Sequence, residues 1–158
     1  MLSHKNTGLL SMNAVIVAAQ VLLMGGHARA AGDLTKQKPI ELIVQLGDKS
    51  NALRFYPDHL SFETGKLYKL VLHNASSQKH YFSSDGFSRA VFTRKVQVNG
   101  PDGKAIAEVK GSVREIEVYP GQKAEWWLVP VKAGVFDDLE CTIKGHAEHG
   151  MVGKITVK

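Results

Sequence analysis

The chain has almost no sulfur. Its 158 residues include one cysteine, Cys141, and four methionines. Three of those are Met1, Met12 and Met24, so beyond residue 30 Met151 stands alone. A single cysteine excludes an internal disulfide, and it excludes iron–sulfur and binuclear thiolate centres that need at least two. None of the seven histidines forms a His-x-His pair, so the paired imidazoles of larger metal clusters are missing. No charge of one sign gathers in a block. The net charge of +5 is spread over alternating lysines and acids, which leaves no nucleic-acid footprint and only a weak bias toward acidic partners. Internal repeats, low-complexity tracts and interdomain linkers are absent. Long apolar runs are lacking too: Ala14 to Met24 is interrupted by Gln20 and is shorter than the roughly 20 residues a bilayer span needs.

That run has the shape of an export signal instead. Lys5 supplies the positive start, and Ala28-Arg29-Ala30 is a small-x-small cleavage site. The expectation is a cleaved leader over residues 1–30 and one domain over residues 31–158, exported to the periplasm or an equivalent compartment, with no membrane span in the mature chain. Retention of the leader as an anchor is the alternative. No cysteine follows it to carry a lipid. What remains is long enough for a single core.

Beyond a polar lead-in at residues 31–38, short apolar or alternating runs are separated by turn residues. They are Ile40 to Leu46, Lys66 to His73, Lys95 to Val98, Ala105 to Val109, Val113 to Tyr119, Ala124 to Val129, Val135 to Leu139 and Val152 to Val157. Asn99-Gly100-Pro101-Asp102-Gly103 is a strong hairpin signal. About eight short strands at this spacing predict an all-β, Greek-key β-sandwich. One helix is expected at Asp85 to Arg94, where Phe87, Val91 and Arg94 would share a face.

The rare sulfur residues share one stretch, Cys141-Thr142-Ile143-Lys144-Gly145-His146-Ala147-Glu148-His149-Gly150-Met151. A thiol in an exported chain invites oxidation unless it is buried or occupied. A buried inert cysteine is the bland reading. A metal-bound thiolate is the sharper one. Thiolate, imidazole and a weak axial thioether are three of the four donors of a mononuclear copper site built for electron transfer, and the fourth is a second imidazole from elsewhere in the chain.

Cys-x4-His-x4-Met followed by Gly153-Lys154-Ile155-Thr156-Val157 resembles the C-terminal motif of the cupredoxins, the blue type 1 copper proteins. The resemblance extends upstream through Phe55-Tyr56-Pro57-Asp58-His59-Leu60-Ser61-Phe62, Gly65, Asn74 and His80, and through Tyr119-Pro120-Gly121 and Gly134. It covers roughly residues 38–158. It implies that His80, Cys141, His146 and Met151 bind one copper ion, and that electrons pass through the surface edge of His146, framed by Gly145 and Gly150. It departs from the family in three places. Tyr81 stands where Asn often follows the upstream ligand, and its side chain cannot bridge the ligand loops as an amide would. Asp137-Asp138-Leu139-Glu140 is an acidic approach to the thiolate, able to lower the potential or mark a docking face. The stretch from Tyr81 to Arg114 is long and holds an extra hairpin.

Other candidates have plainer readings. His73 competes with His80 as the upstream ligand but reads as a half-buried strand residue. His149 and Glu148 read as solvated, with a role near the metal as the alternative. His59 reads as a surface turn residue. Trp126 and Trp127 are adjacent and must point to opposite faces of a strand, one of them to the core.

The expected function is an exported, non-enzymatic carrier of single electrons between redox proteins such as a cytochrome or a copper enzyme. A copper-delivery protein would favour exposed Met and His clusters, and the single Met151 argues against it. A red-type copper site that recruits His149 or Glu148 and binds a small ligand is a further alternative.

Overall fold

A computed structural model describes residues 36–158. The leader and the start of the polar lead-in lie outside those residues. Among the described residues eleven strands and one helix follow one another in the order β1 Ile40–Leu46, β2 Phe55–Tyr56, β3 His59–Phe62, β4 Tyr68–Asn74, β5 His80–Ser83, α1 Asp85–Arg89, β6 Val91–Asn99, β7 Ala105–Val109, β8 Glu115–Val118, β9 Lys123–Pro130, β10 Gly134–Glu140 and β11 Val152–Val157. Six strands form one sheet in the order β2-β1-β4-β9-β6-β7, and five form the other in the order β3-β11-β10-β5-β8. The chain crosses between sheets in Greek-key fashion. This makes β1 parallel to β4, and β11 parallel to β3, while the other pairs are antiparallel.

Period-two alternation explains which residues fill the gap between the sheets. Val44 and Leu46 on β1, Tyr68, Leu70 and Leu72 on β4, and Ala124, Trp126 and Leu128 on β9 all point inward and are buried. They meet Leu60, Phe62, Phe82, Leu139, Ile155 and Val157 from the second sheet. A chain of edge-to-face and tilted aromatic pairs runs through this core from Phe55 to Phe82, Trp126, Phe87 and Phe62. Each such side chain contributes roughly 1.5–3 kcal/mol through burial and about 0.5–1.5 kcal/mol more through ring geometry. Trp126 is the core tryptophan, and its indole N–H donates to Thr93 Oγ1. Trp127 lies on the outer face beneath Lys69 and Lys95.

The helix is shorter than its sequence pattern suggests. It ends at Arg89, and Val91 and Arg94 lie on β6 instead. Val91-Phe92-Thr93 is a β-branched and aromatic run, and it pairs with Pro130, Val129 and Leu128. Only Phe87 is left to anchor the helix in the core. Strands β2, β3 and β5 escape the periodicity count because they are two to four residues long. The extra hairpin forms where Asn99 to Gly103 predicts it, with Gly103 at positive φ as a tight turn requires.

Candidate metal centre

Strand β4 ends in Asn74, and the loop beyond it delivers His80 at the start of β5. Asn74 is fully buried, so its amide must find partners. Its NH2 donates to Gln78 O and Val118 O at 2.7 and 2.8 Å. Its Oδ1 accepts from the Ser76 backbone N–H and from Ser76 Oγ, both at 2.9 Å. Ser76 Oγ in turn lies 2.8 Å from His80 Nε2. With Nδ1 turned toward the cysteine, Nε2 carries the ring proton and donates it to the hydroxyl. A buried relay from Asn74 through Ser76 therefore fixes the tautomer and tilt of the ring. Gly47, at φ +65°, makes room for it: a Cβ there would lie 2.9 Å from both His80 Nε2 and Ser76 Cβ.

The loop from Cys141 to Met151 is folded onto itself. Its two ends are clasped by Cys141 N–H to Met151 O at 3.0 Å and Met151 N–H to His146 O at 2.9 Å, and His146 N–H donates to Ile143 O. Gly145 and Gly150 both take positive φ, so the bends on either side of His146 depend on glycine. Cys141 Sγ lies 3.3 Å from His146 Nδ1 and 4.0 Å from His80 Nδ1. One ligand atom from each of His80, Cys141 and His146 falls within 4.8 Å of the others. Donors about 2.0–2.3 Å from a common centre would stand roughly 3.3–4 Å apart, so a metal ion fits among these three. Met151 closes the loop with its side chain fully buried.

Three buried ionisable groups meet without a compensating charge, and their pKa values follow. Burial, then the nearby His146, pushes His80 down to about 4. Burial lowers His146 as well, with His149 adding to the shift and Glu148 opposing it. Burial raises the Cys141 thiol, against the pull of backbone N–H groups from Tyr81 and Ile143. At neutral pH both imidazoles offer free lone pairs, while the thiol keeps its proton until a metal displaces it. The Tyr81 N–H to Sγ contact is 3.3 Å. Such donors withdraw charge from a bound thiolate.

The rival residues separate cleanly. His80, not His73, joins Cys141; His73 sits opposite Lys123 on the outer face of the β4–β9 pair. His149 is exposed and donates from Nδ1 to Gly145 O at 2.5 Å. Glu148 is exposed, and His59 is an exposed residue of β3 bonded to Thr156. Within the acidic approach to Cys141, Asp138 serves the helix, accepting from Ser84 Oγ and Gly86 N–H at 2.6 and 2.7 Å beside the N-cap, while Asp137 pairs with Lys154 and Glu140 helps raise the thiol's pKa. The Tyr81 side chain leaves the loops unbridged and bonds Glu117, which also holds Lys79. Another bridge is present: Thr142, next to the cysteine, donates to Glu115 on β8 at 2.6 Å. Sequence pattern missed Ser76, Gly47 and Glu115. Asn74-x-Ser76 was the available signal for the first of these, as an Asx turn; the other two depend on contacts across the fold.

No protein-family model matches the sequence, and no curated protein matches it. Solved structures do. A copper-containing nitrite reductase from Thermus scotoductus SA-01 superposes with a TM-score of 0.55 at 15% identity, over 77% of this chain and 31% of that one. A multicopper oxidase from Aquifex aeolicus gives 0.55 at 16% identity, over 76% and 29%. Auracyanin A, a "blue" copper protein from Chloroflexus aurantiacus, gives 0.49 at 17% identity, over 77% and 100%. The chain spans about a third of the two enzymes' length. Two facing sheets of this topology, with the two histidines and the cysteine gathered at one end, give the chain the cupredoxin fold.

Proposed function

We propose that this chain is an exported carrier of single electrons, holding one copper ion among His80, Cys141, His146 and Met151. The observation that supports this most is the graded burial of a mixed donor set. Cys141 and Met151 are 0% exposed and His80 1%, while His146 is 9% exposed. His146 is thus the least buried of the four, which suits electron passage through its ring; an open coordination position would suit a substrate.

When bound, copper supplies a one-electron Cu(I)/Cu(II) couple. The residues do the rest. The Asn74–Ser76–His80 relay and the clasped Cys141–Met151 loop hold the donors in one arrangement, so little has to move when the charge changes. The N–H groups of Tyr81 and Ile143 steady the sulfur. Cys141 and Met151 themselves belong to the buried hydrophobic core, which keeps water from the two sulfurs. The partners would be redox proteins such as a cytochrome or a copper enzyme, docking over His146.

The test is one equivalent of Cu(II) added to the purified protein, with visible and paramagnetic spectra recorded. Intense sulfur-to-copper absorption that vanishes in Cys141→Ser is the expected result. A pale adduct in the wild type would overturn the assignment. Stopped-flow mixing of the reduced protein with an oxidised cytochrome then tests the carrier role, and rapid loss of copper to a chelator would point to delivery instead.

A further inference from the structure

Glu115 belongs to β8, the last strand of the five-stranded sheet, yet it reaches the loop that carries the sulfur. Glu140 on β10 stands opposite Ser83 on β5, and Ser83 stands opposite Glu115. Facing residues in an antiparallel ladder share one face of the sheet, so these three lie on the outer face at one level. The chain leaves β10 at Glu140. Two residues later Thr142 crosses β5 and donates its hydroxyl to Glu115 Oε2 at 2.6 Å. That length is typical of a hydroxyl bonded to an ionised carboxylate.

Thr142 sits between Cys141 and Ile143, and the Ile143 backbone N–H acts on the Cys141 sulfur. One bond to β8 therefore steadies both the sulfur and a donor to it. Tyr81, after His80, offers no such bridge, because its side chain is engaged with Glu117. Glu117 also has Lys79 beside it at 2.8 Å. Glu115 differs: among the described residues no lysine or arginine pairs with it. Its negative charge is not neutralised locally, and it is held one residue away from the thiolate position.

We propose that Glu115 is a positioning residue that sets the reduction potential of the metal centre: held by Thr142, its carboxylate fixes a negative charge beside Cys141 and favours the oxidised form. This rests on the copper reading of His80, Cys141, His146 and Met151. When a donor protein passes one electron to the centre, the charge held by the ligand set falls by one unit, with no bond made or broken. A fixed anion stabilises the more positive form. The same electrostatics acts on the metal-free thiol, which burial raises and the charges of Glu115 and Glu140 raise further. Glu140 has no hydrogen bond to the loop among the described residues, so its side chain samples several positions and its influence is averaged. The tether is what sets Glu115 apart.

The experiment is equilibration of the copper-loaded protein with a ferricyanide–ferrocyanide mixture, at low and high salt. Glu115→Gln keeps an oxygen for Thr142 and removes the charge. It should shift the equilibrium toward the reduced form about three- to tenfold at low salt, where tenfold is about 59 mV for one electron. The sulfur-to-copper absorption should be kept, and the shift should shrink in 1 M salt, about where screening reaches only a few ångströms. In a Thr142→Val background the same substitution should shift the equilibrium less than about half as far on a logarithmic scale, because the carboxylate is no longer held. Glu140→Gln should shift it less than Glu115→Gln does. A readout without metal is amide exchange in the Cys141–Met151 loop, which should quicken in Thr142→Val and stay unchanged in Glu115→Gln. Circular dichroism checks that each variant folds.

An unchanged potential in Glu115→Gln, a shift indifferent to salt, an equal shift in the Thr142→Val background or with Glu140→Gln, or loop exchange indifferent to Thr142→Val would each overturn the inference while the copper reading stands. A wild type lacking sulfur-to-copper absorption would overturn both.

Discussion

The ligand end of the sandwich buries polar groups, and the β6–β7 edge exposes apolar ones. Asn74, Ser76 and His80 are at most 5% exposed and are bonded to one another. Ile106 and Val109 are more than half exposed, on a strand with one open edge. The first region is costly to assemble, because buried polar groups must all be matched. The second costs little, because among the described residues its outer strand pairs on one side alone. Substitutions should therefore be felt strongly at one end and hardly at all at the other.

Gly47→Ala should show the largest effect. A methyl group there meets His80 and Ser76 at 2.9 Å while the backbone holds φ +65°. Strain and overpacking together should cost about 3–4 kcal/mol in chemical denaturation, and the copper spectrum should change because the ring is displaced. Asn74→Ala removes four buried hydrogen bonds, two to the carbonyls of Gln78 and Val118 and two from the Ser76 N–H and hydroxyl, although the hydroxyl and Gln78 O keep their own bond. A loss of about 2–3 kcal/mol is expected, with faster copper release to a chelator. At the other region, Val109→Ser should change the denaturation midpoint by less than about 0.5 kcal/mol. A large loss there would mean that the edge is held by contacts of its own.

The smallest effect concerns pH. His73 lies outside the ligand cluster, and burial, then Lys123, lowers its pKa from 6.5. The unfolded chain then binds this proton at a higher pH than the folded one. Its contribution is complete above pH 6.5 and is lost as pH falls toward the folded pKa. The slope of stability against pH just below 6.5 should flatten in His73→Gln, measured by denaturant titration of the metal-free protein.

Much of the site was legible because its chemistry is local. Cys141 and His146 share one loop and meet at 3.3 Å, so their spacing carries the geometry, and rarity makes the cysteine visible. The supports around them were not. Tyr81 looked unsuited to its position because its side chain cannot imitate an amide, yet its backbone N–H reaches the sulfur, which any residue other than proline could provide. The acidic run before Cys141 divides its roles: Glu140 acts electrostatically on the thiol, whereas Asp138 is committed to α1 by contacts across 54 and 52 residues. The helix prediction overran for the opposite reason: Val91 and Arg94 fit a helical face locally, and pairing with β9 outweighed that fit.

The sequence by itself determined the β-rich pattern, the hairpin at Asn99 to Gly103, and a thiol and an imidazole within reach of one another, because strand alternation, turn preference and loop spacing are properties of near neighbours. Only the tertiary structure decided that His80 rather than His73 meets Cys141, that Ser76 and Gly47 fix its ring, and that β7 is the last strand of its sheet among the described residues. Those outcomes depend on which strands lie side by side, and that is set by the packing of the whole core.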